Sequence, residues 1–90
     1  MDEYGIAAFR SRQQVMKFEE ALRREGLKVR VISTPREVAV GCGLSVQFAS
    51  KDVQTVQNVL ARMKPVNLIG LYLVSRRMGK TQLTVISKRN

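Results

Sequence analysis

Lys28-Val29-Arg30-Val31-Ile32-Ser33-Thr34-Pro35-Arg36-Glu37-Val38-Ala39-Val40-Gly41-Cys42-Gly43-Leu44-Ser45-Val46-Gln47-Phe48 is the stretch that decides the fold. Both of its ends read as strands. Over Lys28–Ser33, Val29, Val31 and Ser33 point one way and Lys28, Arg30 and Ile32 the other, as expected for an edge strand with one wet face. Over Leu44–Phe48 the period of 2 is cleaner, with Leu44, Val46 and Phe48 inward. Between them, Thr34-Pro35-Arg36-Glu37 reads as a capping box. Thr34 is the N-cap, Pro35 sits at N1 where its missing N–H costs nothing, and Glu37 at N3 reaches back to the Thr34 amide. This predicts a single helical turn ending by Val40 or Gly41. Gly41 and Gly43 then allow positive φ on both sides of Cys42, the chain's single cysteine. The glycines give the thiol little cover, so Cys42 is expected to be solvent-accessible at the turn into the following strand. The alternative is a small buried hydrophobe, the commoner state of a free cysteine.

Outward from this pair of strands, each side supplies one strand and one helix. Towards the N-terminus, Tyr4–Phe9 is a short apolar run that suits a central strand, with Gly5 as its weak point. Ser11 is a plausible N-cap for a helix over Arg12–Glu25, with Val15, Phe18, Ala21 and Leu22 on one face, Met16 beside them, and Gly26 as the stop. Towards the C-terminus, Ser50 or Asp52 caps a helix to about Lys64, lined by Val53, Val56, Leu60 and Met63. Pro65 closes it. Asn67–Ser75 is a strand apolar on both faces, to be covered by helices on one side and by a partner or the tail on the other. Gly79 turns the chain into a β-branched strand over Thr81–Ser87.

The order β-α-β-β-α-β is an α+β, ferredoxin-like split βαβ: an antiparallel sheet in the order 4-1-3-2 with two helices on one face, plus a C-terminal extra strand. It divides the chain into a domain over 1–75 and a basic C-terminal extension over 76–90. In this topology the first strand–helix junction, the connection bearing Cys42 and the second helix–strand junction share one end. That places Arg10, Ser11, Arg12 and Lys64-Pro65 near Cys42. Arg10, Arg12 and Arg36 are candidate cations for stabilising a thiolate. They could equally serve only to solvate that end.

Thr34-Pro35-Arg36-Glu37, followed at fixed spacing by Cys42-Gly43-Leu44 and an alternating strand ending at Phe48, resembles the selenium/sulfur carrier-like family of small single-cysteine domains. The resemblance covers about residues 4–74. It departs from the family's often serine-rich segment before the cysteine, which here is Val38-Ala39-Val40-Gly41. The resemblance implies a carrier in which Cys42 is the working thiol and Thr34, Pro35, Arg36, Glu37, Gly41 and Gly43 shape its loop. Cys42 would take sulfur or selenium from a cysteine desulfurase-type donor as a persulfide or selenopersulfide and pass it to an acceptor protein. Such a carrier needs no cofactor and is not an enzyme in the usual sense.

The totals narrow the classes. A chain of 90 residues buries only roughly 60–65% of its unfolded surface, which limits it to two layers around one core. It has no histidine, which removes the commonest general base and zinc ligand, and one cysteine, which excludes an internal disulfide and a dithiol redox centre. No metal site is expected. A free thiol points to a reducing cytoplasm. Met1-Asp2-Glu3 is no signal-peptide start, and no apolar run reaches the roughly 20 residues of a membrane span. The net charge of +9 favours an anionic partner. Arg76, Arg77, Lys80, Lys88 and Arg89 are the candidate anion-binding residues. A basic nucleic-acid-binding or protein-interaction module without chemistry is therefore the alternative to the carrier, although an RNA-binding sheet of this fold needs exposed aromatics on its central strands.

Overall fold

The computed structural model describes residues 2–38 and 43–88. The order is β1 (Asp2–Phe9), α1 (Arg12–Arg24), β2 (Arg30–Ser33), β3 (Leu44–Ala49), a 3-10 turn (Ser50–Asp52), α2 (Val53–Met63), β4 (Leu68–Arg77) and β5 (Lys80–Lys88). The sheet runs β2-β3-β1-β4-β5, with antiparallel pairing throughout. Its first four strands give the 4-1-3-2 order of the split βαβ, and β5 adds an edge outside β4. β4 continues to Arg77, where its hairpin with β5 begins.

Alternation along the strands divides the apolar residues between two layers. Ala7 and Phe9 of β1, Val46 and Phe48 of β3 and Leu71 of β4 form one cluster with Val15, Phe18 and Leu22 of α1 and Val56 and Val59 of α2. Both helices thus pack on one face. Val15, Phe18 and Leu22 are fully buried, while Met16, one step round the helix, is 53% exposed. The α1 terminus closes as a Schellman motif. Gly26 takes φ +85°, its N–H donates to the Arg23 carbonyl at 2.9 Å, and the Leu27 N–H reaches the Leu22 carbonyl at 3.2 Å. Leu27 then packs against the core.

The elements differ from the sequence reading at several ends. β1 starts at Asp2 because β4 extends far enough to pair Asp2 with Arg76. β2 begins only at Arg30, opposite Gln47, whose side chain accepts from Arg30 Nε at 3.0 Å. In α2 the buried core residues are Val56 and Val59, Val53 and Leu60 pack against the core as expected, and Met63 is exposed. The helix ends at Met63, and Lys64 turns left-handed with φ 48° before Pro65. The β4–β5 turn uses positive φ at Met78 (52°) as well as Gly79 (75°), the pattern of a type I′ hairpin.

The other face of the sheet is also buried. Ile6, Ala8, Ile69, Tyr72 and Val74 form a second cluster, edged by Tyr4, Ile32 and Leu83. Val38, from the connection between β2 and β3, joins it at 8% exposure. The cluster on the second face of β1 and β4 therefore includes a residue of the Thr34–Val38 segment, with Leu83 of β5 packed against it.

Candidate functional site

The loop expected to carry the chemistry leaves the sheet after Ser33 and returns at Leu44, which are the last register pair of β2 and β3. Cys42 and Gly41, with Ala39 and Val40, lie outside the described residues, so the expected exposure of the thiol falls there too. The two ends of the loop are well defined. The Thr34 N–H donates to the Gly43 carbonyl at 2.9 Å, extending the β2–β3 ladder by one rung. Gly43 has φ +84° with open space around it, the left-handed conformation that its lack of Cβ permits. The Val38 N–H donates to the Pro35 carbonyl at 3.0 Å, closing a tight turn over Pro35–Val38.

This turn corrects the capping-box reading. The Thr34 amide that Glu37 was to reach is already bonded to Gly43, and the Thr34 hydroxyl faces away from the turn. Thr34 Oγ1 lies 2.7 Å from Ser45 Oγ, either being the donor. Ser45 is fully buried. The hydroxyl pair joins the start of the loop to β3, and Val38 anchors the turn against the helix-free face. Neither contact was legible in the sequence, since Ser45 occupied an outward position of its strand and Val38 lay within the expected turn.

Thr34→Ala is therefore expected to destabilise the protein by about 1–3 kcal/mol, because it leaves the buried Ser45 hydroxyl without its partner. Thr34→Ala with Ser45→Ala removes both partners and should cost clearly less than the sum of the single changes. Urea denaturation of the four proteins checks this. Additive losses would show that the pair carries no coupling.

The first strand–helix junction and the second helix–strand junction lie at the end of the sheet where β3 begins. Ala8 pairs with Ser45 and Phe9 with Leu68, and the Arg10 N–H donates to the Asn67 carbonyl at 2.7 Å. Arg12, on the first turn of α1, lines a groove with Leu44. Arg10, Arg12, Arg36 and Glu37 are all exposed. Among the described residues the ion pairs are Arg23–Glu19, Arg24–Glu20 and Arg62–Glu25, and none involves Arg10, Arg12 or Arg36.

Arg76, Arg77 and Lys80 come together at the β4–β5 hairpin, where Arg77 pairs with Lys80. Lys88 pairs with Gly70 at the other end of β5, and Arg89 lies outside the described residues. Among the described residues no group of three His, Cys, Asp or Glu side chains could hold a metal ion, and no helix is long and apolar enough to cross a membrane.

The family model described as "Putative Se/S carrier protein-like" matches residues 4–72. No curated protein and no solved structure matches the chain. The matched span contains the whole loop from Thr34 to Gly43 and runs from β1 into β4. With more than two thirds of its length inside that match, the chain belongs to the Se/S carrier protein-like family.

Proposed function

We propose that the protein carries sulfur or selenium on Cys42 between a cysteine desulfurase-type donor and an acceptor protein. The observation that supports this reading is the family match over residues 4–72, a span that includes the chain's single cysteine. The chemistry is thiol exchange. The Cys42 thiolate attacks the terminal sulfur of the donor's persulfide. A new S–S bond forms as the donor's S–S bond breaks, and the donor cysteine leaves as a thiolate. Cys42 then bears the persulfide, and a nucleophile on the acceptor takes its terminal sulfur and releases Cys42. No net oxidation occurs, and selenium follows the same course as a selenopersulfide. A second cysteine would attack the loaded sulfur within the same chain, so a single thiol suits a species that must survive transit.

The test is intact-mass spectrometry after incubation with a cysteine desulfurase and cysteine. Wild type should gain the mass of one sulfur atom, lost again on treatment with a reducing thiol. Cys42→Ser should gain nothing while keeping the wild-type melting temperature. A wild-type chain that remains at its unloaded mass sinks the reading.

The alternative, a nucleic-acid-binding sheet, meets a physical obstacle. RNA-binding domains of this architecture stack bases on aromatics exposed on the helix-free face of the central strands. Here that face holds Ile6 and Ala8 at 0% exposure and Tyr72 at 5%. Burial also pushes the Tyr72 phenol above its ordinary pKa. A backbone-binding basic patch, as at Arg76, Arg77 and Lys80, would serve that role without aromatics.

A further inference from the structure

A groove runs between the first turns of α1 and the β2 edge of the sheet. It is lined by Arg12, Gln13, Met16, Lys17, Val31 and Leu44 and encloses about 670 Å³. Its floor and rim differ in chemistry. Val31 and Leu44 supply apolar surface from the sheet, and Met16, 53% exposed, supplies it from the helix. Arg12 and Lys17 are exposed cations, and no acidic residue is among the lining residues. Neither cation takes part in an ion pair among the described residues. Leu44 at the end of the groove is two residues along the chain from Cys42, so at most about 7 Å of extended backbone separates their Cα atoms.

We propose that this groove is the docking site for the protein that loads Cys42, and that it takes a surface segment of the donor in which acidic residues flank an apolar side chain. The apolar side chain fills the space between Met16, Val31 and Leu44. The carboxylates meet Arg12 and Lys17. The adaptable Met16 side chain suits a surface that must fit a foreign residue. Charge complementarity of this kind raises the encounter rate and fixes register, and salt weakens it. The inference rests on the carrier reading and adds to it the place and chemistry of the donor contact.

The test compares two sulfur sources for the full-length chain, a cysteine desulfurase with cysteine and a small inorganic polysulfide. Four proteins are used: wild type, Arg12→Glu/Lys17→Glu, Met16→Asp, and Arg76→Glu/Arg77→Glu. The last makes the same charge change at the far end of the sheet. All substituted positions are exposed, and a thermal melt checks that each variant is folded. Loading from polysulfide should be equal within about twofold in all four. Loading from the desulfurase should slow at least tenfold in Arg12→Glu/Lys17→Glu and severalfold in Met16→Asp. It should slow much less in Arg76→Glu/Arg77→Glu, and added salt should slow wild type far more than the groove variants. Wild-type loading from polysulfide but not from the desulfurase overturns the desulfurase-fed carrier reading, and the docking inference with it. The docking inference alone is overturned by equal desulfurase rates in wild type and groove variants, or by equal losses at the groove and at Arg76 and Arg77. A wild-type chain that loads from neither source overturns the carrier reading, and the docking inference with it.

Discussion

Replacing Phe18 with alanine is expected to cost about 3–5 kcal/mol, the usual range for emptying a buried phenylalanine site. Phe18 is fully buried at the middle of α1, and its ring meets that of Phe9 with centroids 5.3 Å apart at an angle of 54°. The tilted geometry adds to the area that both rings bury. Phe18 belongs to a cluster drawn from three strands and two helices, so a cavity there cannot close by moving a single side chain. Domains of this size have total stabilities of about 5–15 kcal/mol. The loss is therefore a large share of the total and should lower the melting temperature by some tens of degrees. Phe18→Leu keeps most of the volume and should cost much less. Urea denaturation of the three proteins measures both effects. A Phe18→Ala midpoint within error of wild type would mean that α1 does not dock on the sheet through this face.

Gly5→Ala is expected to destabilise the fold, although alanine is the better residue in an ordinary strand. In the middle of an unconstrained strand the added methyl gains roughly 0.5–1 kcal/mol by restricting the unfolded chain. At Gly5 a Cβ would lie 2.2 Å from both Cε2 and Cζ of Phe48. That ring is 1% exposed and belongs to the main core, so it has nowhere to swing. Overpacking of this kind costs about 1–3 kcal/mol, and the severity of the overlap puts Gly5→Ala at the upper end of that range. The steric cause predicts a specific rescue. In a Phe48→Leu background, which removes the clashing ring atoms, Gly5→Ala should lose most of its effect. The double-mutant cycle in urea decides the matter. A stabilising Gly5→Ala, or a loss unchanged by Phe48→Leu, would remove the clash as the explanation.

Gly5 also illustrates a limit of local reading. In the sequence it weakened the case for a strand over Tyr4–Phe9, since glycine has poor strand propensity. In the structure it is what allows β1 to pass beneath Phe48, opposite which it pairs. The resemblance, by contrast, was carried by a string of residues at fixed spacing, Thr34-Pro35-Arg36-Glu37 and Cys42-Gly43-Leu44, and needed no contact to be known. The family match over residues 4–72 agrees with it. The roles of the residues in that string were only partly legible. Gly43 holds the positive φ expected of it, but Thr34 acts through β3 instead of through Glu37.

By itself the sequence determined the order of elements, the residues of α1 and β3 that turn toward the core between sheet and helices, and the turns at Gly26 and Gly79. Those features follow from period, propensity and backbone sterics, which act over a few residues and can be read there. Only the tertiary structure decided that Val38 lies against the helix-free face, that Thr34 and Ser45 share a hydrogen bond, and that Arg12, Met16 and Lys17 border a groove with Val31 and Leu44. Each of these joins residues that are distant in the chain. Alternation says which side of a strand a residue occupies, and the packing of other segments decides what that side will meet.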